Sequence, residues 1–224
     1  MTAVPVARLA NVSKSYGGAG STGVVLRGVD LTILPGEKAS LIGPSGSGKS
    51  TLLMLIAGLL RPDSGSVEVD AVATSGLHDR ARAQLRANRI GIALQSDNLI
   101  PFLNARENVE LALAFGTHSG RRSARVRALE LLERFGVADR ARHRPRHLSG
   151  GEAQRVALAV SMANEPALLL ADEVVAQLDS KTAVGVIDEV LTADFALLFV
   201  THDVAVADLV AKRYALVDHQ VHLR

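Results

Sequence analysis

Gly43-Pro44-Ser45-Gly46-Ser47-Gly48-Lys49-Ser50-Thr51 is the stretch that decides the fold of this chain of 224 residues. It contains the complete pattern Gly-x-x-x-x-Gly-Lys-Ser and lies between two apolar runs, residues 39–42 and 51–60. These flanks predict a strand, a tight loop and a helix, so that backbone N–H groups and the positive end of the helix converge on phosphate oxygens. Lys49 is then placed to reach the β- and γ-phosphates, and the Ser50 hydroxyl suits Mg²⁺. The sequence therefore predicts a site for a nucleoside triphosphate.

A second segment, Leu148-Ser149-Gly150-Gly151-Glu152, narrows the class of protein. By itself, Ser149 with Glu152 three residues later is an ordinary capping box, at the start of a helix predicted over about residues 151–164. A helix N-terminus also favours an anion. Together with the phosphate loop, this segment resembles the signature of the ATP-binding cassette (ABC) ATPases. The resemblance implies that the nucleotide is ATP and that Ser149, Gly150 and Gly151, the signature turn, face the γ-phosphate held by a second subunit.

Two acidic residues, Asp172 and Glu173, end an apolar run that predicts a strand over residues 167–172. In the general template of phosphoryl transfer, the first carboxylate orients Mg²⁺ together with the serine of the phosphate loop. Asp172 is therefore predicted to bind Mg²⁺ with Ser50. Glu173 is predicted to polarise the attacking water, a task that suits a carboxylate near the γ-phosphate.

The resemblance to ABC ATPases covers residues 12–218 and implies roles for four further residues. Gln95, at the end of a strand predicted over residues 90–94, matches the glutamine that contacts both Mg²⁺ and water. His202, after a strand predicted over residues 196–200, matches the histidine that the family places against the γ-phosphate. Tyr16 matches the aromatic residue that stacks on adenine. Asp179 matches the loop that couples one ATP site to the other.

Strands alternate with helices at both ends of the chain, which predicts an α/β fold with a parallel sheet covered by helices. Strands are predicted at residues 6–12, 24–34 and 214–217, and helices at residues 51–60, 104–115, 121–135, 181–191 and 204–212. The resemblance implies a P-loop NTPase core of the ABC type, in which a mixed sheet with a parallel core is joined by an antiparallel β-subdomain. We expect residues 1–95 and 165–224 to form the nucleotide-binding core, and residues 96–164 to form an inserted helical subdomain that carries the signature turn.

Composition restricts the compartment and the partners. The chain has no cysteine, which excludes disulfides and thiolate metal sites and suits a reducing compartment. It does not open with a basic segment followed by an apolar stretch, so export is not expected. Its apolar runs are shorter than the ~18 residues that cross a bilayer. The net charge of +2 does not imply nucleic acid, and the basic cluster at residues 121–147 is more typical of a solvated surface than of a phospholipid or nucleic-acid patch.

Short stretches such as Leu26-Arg27-Gly28-Val29 and Leu178-Asp179-Ser180-Lys181 resemble one branch of the ABC ATPases, which serves lipoprotein release, macrolide export and cell division. This resemblance implies a homodimer that forms on ATP and drives a separate integral membrane permease from the cytoplasmic face of the membrane. The apolar run at residues 99–103 is expected to lie beside the coupling helix of that permease. Packing of Phe102 inside the helical subdomain is the alternative.

Departures from the family pattern leave other functions open. Val174-Val175 stand where the family usually has Pro-Thr, and Val160 stands where an arginine usually braces the signature helix. The change at Val174-Val175 favours the alternative of a regulatory nucleotide-binding subunit with weak or no hydrolysis. A soluble ABC ATPase that acts on DNA or ribosomes is a further alternative, although such proteins usually carry coiled-coil insertions or two cassettes. Because both Asp172 and Glu173 are present, ATP hydrolysis is the leading prediction.

Overall fold

A computed structural model describes residues 3–17, 23–93, 99–116, 121–172 and 190–224 of the chain. The chain forms two compact units, the first made of Met1–Ala83 and Asp194–Arg224 and the second of Gln84–Ala193. In chain order the elements are β1 (Ala7–Tyr16), β2 (Gly23–Ile33), β3 (Lys38–Ile42), α1 (Lys49–Ile56), β4 (Ser64–Val69), β5 (Val72–Ala73), α2 (Asp79–Arg89), β6 (Ile90–Ala93), α3 (Ala105–Phe115), α4 (Arg121–Arg134), α5 (Gly150–Ser161), β7 (Leu168–Asp172), β8 (Ala196–Val200), α6 (Val204–Ala207), β9 (Lys212–Val217) and β10 (Gln220–Leu223). Short 3₁₀ turns lie at Ala138–Arg140 and Pro145–His147.

The first unit contains an antiparallel sheet in the strand order β2-β1-β4-β5. Along β1, the residues Ala7, Leu9 and Val12 are buried, as alternation of apolar and polar residues predicts for a strand with one covered face. The strand continues to Tyr16, beyond the predicted end at residue 12. Tyr16 is therefore held in a sheet.

The first unit also contains the strands β10-β9-β3-β8 of a second sheet. Strand β3 is parallel to both β8 and β9, and β10 is antiparallel to β9, so the sheet is mixed with a parallel core. All five residues of β8 are buried, in agreement with a strand that is covered on both faces. In the register of β3 and β8, Leu41 lies opposite Val200, so both strands end at the same edge of the sheet.

The second unit combines helices α3, α4 and α5 with the parallel strands β6 and β7. Its core is formed by apolar side chains from each helix, among them Val109, Leu113, Leu131, Leu132, Val156 and Leu158. Helix α3 begins at Asn104, whose side chain accepts a hydrogen bond from the N–H of Glu107 while the Glu107 carboxylate accepts one from the N–H of Asn104. This reciprocal capping confirms the helix start that the sequence predicted.

Several element bounds differ from the sequence-based prediction. Helix α1 ends at Ile56 rather than at residue 60, because Gly58 adopts a φ of 64° and turns the chain out of the helix. Helix α6 ends at Ala207 rather than at residue 212, where β9 already begins. Helix α2 was not predicted; it is rich in arginine, is strongly polar on average and buries none of its residues. Most of the helix predicted at residues 181–191 lies outside the described residues.

The α/β fold class with its mixed sheet, antiparallel sheet and helical portion is confirmed. The functional division at residues 95 and 165 stays a prediction; by packing, β6 and β7 belong to the same compact unit as helices α3 to α5. In the described part of the chain, no helix combines the length and apolar character needed to cross a bilayer.

Candidate functional site

Two glycines fix the backbone of the phosphate loop, residues 43–51. Gly48 precedes α1 with a φ of 107°, and a Cβ there would lie 2.6 Å from Cγ1 of Val25. A Cβ on Gly43 would lie 2.6 Å from the carbonyl oxygen of Leu216. Both approaches are too close for any side chain. The loop is therefore tightly packed at its first residue and again where α1 begins.

Polar groups converge inside this loop. The Nζ of Lys49 donates hydrogen bonds to the carbonyl oxygens of Gly43 and Pro44, each at 2.8 Å, so the ammonium charge lies within the loop. The hydroxyl oxygen of Ser47 is buried and has no hydrogen-bond partner in the described part of the chain. A buried hydroxyl without a partner is costly, and a phosphate oxygen would supply the missing bond.

The remaining residues of the loop are exposed or lie in the first turn of α1, so the N-terminus of this helix is accessible to a ligand. Ser45 and Gly46 form an exposed tip, and Ser50 and Thr51 lie in the first turn of the helix. That turn has neither an acidic residue nor a side-chain cap among the described residues. Its N–H groups therefore keep the positive potential of a helix N-terminus, which attracts phosphate.

Tyr16 lies beside the phosphate loop. Its hydroxyl is 3.5 Å from the Oγ1 of Thr51, and its side chain remains 46% exposed. The Nζ of Lys14 lies 5.9 Å from the centre of the ring. An exposed aromatic face next to a phosphate site can stack on a nucleobase, and the predicted adenine contact stays a prediction.

His202 lies at the edge of the sheet from which the phosphate loop also emerges. It follows β8, and the N–H of the preceding Thr201 donates to the carbonyl oxygen of Leu41 in β3. The next residue, Asp203, caps α6 by accepting a hydrogen bond from the N–H of Ala205 at 2.8 Å. Tyr16, the phosphate loop and His202 thus all belong to the first unit, and His202 is exposed.

In the second unit, Asp172 is the last residue of β7 and is half-buried after four buried apolar residues. The predicted end of the strand at Asp172 is confirmed, and the binding of Mg²⁺ by its carboxylate stays a prediction. Three other predicted residues, Gln95, Glu173 and Asp179, lie outside the described residues, as do Val174 and Val175. Their roles stay predictions.

The signature turn is an exposed helix start built by side chains. Ser149 accepts a hydrogen bond from the N–H of Glu152 at 3.3 Å, and the Oε2 of Glu152 accepts one from the N–H of Ser149 at 2.8 Å. Ser149 and Gly150 are exposed and Gly151 is half-buried. The capping box predicted from the sequence is confirmed.

Arg140 extends this cap, and sequence reasoning did not single it out. Its Nε donates to the Oε1 of Glu152 at 2.6 Å, and its Nη1 lies 2.9 Å from the Oδ2 of Asp139. The backbone hydrogen bond from Ser149, followed by the bond from Arg140, lowers the pKa of Glu152 to about 2. Arg140 is one of many arginines in residues 121–147, and in a basic segment of this kind the sequence carries no signal that distinguishes it.

Asn108 is a second residue that sequence reasoning missed. Its buried side chain accepts a hydrogen bond from the N–H of Ile100 at 2.7 Å. Its amide group donates to the carbonyl oxygens of Ile100, Leu103 and Asn104 at 3.0 to 3.3 Å. Asn108 thereby ties the apolar run to α3, while Phe102 within that run is 70% exposed. An asparagine in the interior of a predicted helix was the available signal.

Three kinds of comparison relate the chain to known proteins. The sequence pattern of a family described as "ABC transporter" matches residues 26–176. The chain is 42% identical to "Lipoprotein-releasing system ATP-binding protein LolD 1" of Rhodopirellula baltica, over 94% of this chain and 93% of that protein. It is 43% identical to the uncharacterized ABC transporter ATP-binding protein YknY of Bacillus subtilis, over 90% and 88%. Among solved structures, the ATP-binding cassette MJ0796, a dimer in a post-hydrolysis state bound to ADP and Pi, is 39% identical, with a TM-score of 0.91 over 97% of each chain.

Proposed function

Because the chain belongs to the ABC transporter family, we propose that it binds and hydrolyses ATP as the ATPase subunit of a transporter whose permease is a separate protein. The phosphate loop carries this proposal. Gly43 and Gly48 leave no room for a side chain, and the Lys49 ammonium lies inside the loop. The buried Ser47 hydroxyl has no hydrogen-bond partner among the described residues, and a phosphate would provide one.

Mg²⁺ is the cation that we propose for hydrolysis. Its ligands, predicted from the sequence, are Ser50, Asp172 and Gln95, and Mg²⁺ prefers the hard oxygen atoms that a hydroxyl, a carboxylate and an amide supply. When bound, the ion supplies positive charge that stabilises the negative charge on the transferring phosphoryl group. Glu173 is the proposed base for the attacking water, and His202 the proposed hydrogen-bond donor to the γ-phosphate.

A second copy of the chain is the proposed partner for the signature turn. The turn is exposed, and its α5 N-terminus presents backbone N–H groups that suit a phosphate oxygen. The similar cassette MJ0796 was solved as a dimer with ADP and Pi. We propose that two copies associate when ATP is bound, so that each signature turn completes the site on the other copy, with Asp179 coupling the two sites.

Glu173→Gln tests hydrolysis and association together. The substitution keeps the size of the side chain but removes the basic oxygen, so ATP should bind and remain uncleaved. Sedimentation with ATP should then show a dimer that is absent without nucleotide. A single-turnover rate with Mg²⁺ within a few-fold of the wild type would place the base elsewhere or indicate the regulatory alternative. A monomer in both conditions would overturn the proposed dimer.

The permease is proposed to dock on the apolar run at residues 99–103. Asn108 holds the backbone of this run, and Phe102 projects from it with 70% of its surface exposed. An aromatic side chain on a loop that hydrogen bonds hold in place can anchor a protein partner, and here it belongs to a run of five apolar residues. We place this contact at the cytoplasmic face of the membrane, with the transport task in the class of export, lipoprotein release or mechanical signalling, and without a nucleic-acid partner.

Phe102→Glu tests the docking surface. The charged side chain should abolish assembly with the permease and leave the ATPase rate of the isolated subunit nearly unchanged, because Phe102 makes few contacts in the isolated chain. Phe115 is a matched control, since it is 68% exposed at the end of α3. Phe115→Glu should assemble normally. Equal loss of ATPase rate and assembly in Phe102→Glu would assign Phe102 to the core.

A further inference from the structure

Glu152 places a negative charge at the start of the helix that carries the signature turn. Both of its carboxylate oxygens are engaged, Oε2 by the N–H of Ser149 and Oε1 by Arg140. A carboxylate is a good cap for a helix N-terminus, yet it repels any phosphate that approaches the same N–H groups. The Glu152 carboxylate therefore stabilises the turn, but its negative charge repels the phosphate that the turn is proposed to bind.

Arg140 brings the opposite charge to this carboxylate. Its Nε is 2.6 Å from Oε1 of Glu152, and the guanidinium comes from the separate 3₁₀ turn Ala138–Arg140. The pair stays ionised at neutral pH, because the hydrogen bonds from the Ser149 N–H and then from Arg140 lower the pKa of Glu152, and the contact with Glu152 raises the pKa of Arg140. Asp139 also contacts Arg140, but its carboxylate is 68% exposed and is screened by water.

The hydroxyl of Ser149 completes the arrangement. Its oxygen accepts a hydrogen bond from the N–H of Glu152 at 3.3 Å, so the hydroxyl can still donate its own proton to another acceptor. With the Glu152 charge neutralised, the turn offers this proton and the helix N-terminus to a phosphate oxygen.

We propose that Arg140 is a positioning residue that neutralises Glu152, and that this allows the signature turn to receive the phosphate of ATP held by a second copy of the chain. The inference rests on the proposed ATP-driven dimer. It assigns Arg140 an electrostatic task that is separate from holding the fold, and that task disappears if Glu152 carries no charge.

A double-mutant cycle tests the electrostatic task. Arg140→Ala, Glu152→Gln and the double variant are compared in the Glu173→Gln protein, by the ATP concentration that gives half-maximal dimer in sedimentation. Arg140→Ala should raise that concentration about tenfold, a typical penalty for an unpaired charge at a polar interface. Glutamine can still cap the helix, so adding Glu152→Gln should return the value to within about twofold of the parent. Arg140→Lys, which keeps the charge, should stay within about threefold.

The control is another arginine ion pair in the same unit. Arg127 contacts the Oε1 of Glu165 at 2.5 Å and connects α4 to the segment after α5, away from the signature turn. Arg127→Ala should leave the ATP requirement for dimerisation unchanged. Thermal unfolding of each variant shows whether it is folded.

The outcomes separate the inference from the proposed function. If the Glu173→Gln parent does not dimerise with ATP, the proposed dimer fails and the inference fails with it. If the parent dimerises but Arg140→Ala needs no more ATP, Arg140 has no electrostatic task. If the double variant and Arg140→Lys are as impaired as Arg140→Ala, the role of Arg140 is structural and the inference is overturned.

Discussion

The phosphate loop and the signature turn both present a helix N-terminus to an anion, but they are held in shape by different forces. The loop is fixed by close packing, since Gly43 and Gly48 touch neighbouring strands where no Cβ fits. Its charge comes from Lys49, which is bonded to the carbonyl oxygens of the loop itself. The signature turn is held by side-chain hydrogen bonds among Ser149, Glu152 and Arg140, on an exposed surface.

This difference predicts how each site responds to substitution. Repulsion between atoms rises steeply with approach, so the loop tolerates no added atom at its packed glycines, Gly43 and Gly48. Hydrogen bonds at an exposed cap contribute about 1 kcal/mol each and can be exchanged for other polar groups. A single substitution in the phosphate loop should therefore cause a large loss of activity or stability, whereas a single substitution in the signature turn should cause a small one.

The largest expected effect is the loss of ATPase rate in the Lys49→Ala variant. Removing the ammonium from the loop takes away the charge that balances the β- and γ-phosphates, so the ATPase rate should fall by at least about 100-fold. Ser149→Ala should reduce the rate less, because the turn keeps its backbone N–H groups. Steady-state ATPase assays of both variants check this order. A Lys49→Ala protein with wild-type turnover would show that the phosphate-loop assignment is wrong.

A smaller effect is expected on the stability of glycine variants. Gly48→Ala places a methyl group 2.6 Å from Val25 at a φ of 107°, and it should lower the free energy of unfolding by about 2–4 kcal/mol. Gly150→Ala meets no atom within 4 Å and should stay within about 0.5 kcal/mol of the wild type. Urea denaturation measures both. Equal stability of the two variants would refute the contrast between packing and capping.

The smallest expected effect is the pH dependence of the cap. The pKa of Glu152 falls from 4.5 to about 2 on folding, so its contribution to stability is complete above about pH 4.5 and is lost as the pH falls to about 2. With solvent screening this amounts to about 1 kcal/mol. The difference in unfolding free energy between the wild type and Glu152→Gln should therefore shrink between pH 6 and pH 2.5. A constant difference would mean that the ionised carboxylate does not stabilise the turn.

The sequence predicted the local features of both sites because short-range chemistry determines them. The glycine spacing around Lys49 and the Ser149–Glu152 capping box are defined within a few residues, and both are present in the structure. The Arg140–Glu152 pair joins residues twelve apart through a 3₁₀ turn, and arginines at several neighbouring positions could have served equally. Asn108 satisfies backbone groups of a loop whose path is set by tertiary packing. Spacing alone does not reveal such contacts.

Close packing also connects the phosphate loop to the last strands of the chain. Leu216 in β9 leaves no space for a side chain at Gly43, and Val25 in β2 leaves none at Gly48. Strands β9 and β2 are connected through the turn between β9 and β10. The carbonyl oxygen of His219 in this turn accepts a hydrogen bond from the N–H of Arg27, and the His219 ring lies 3.3 Å from the Val25 carbonyl oxygen. The last hairpin of the chain, β9 and β10, is therefore part of the framework that shapes the ATP site, and an affinity tag or fusion placed directly after β10 is expected to disturb nucleotide binding more than its distance along the sequence suggests.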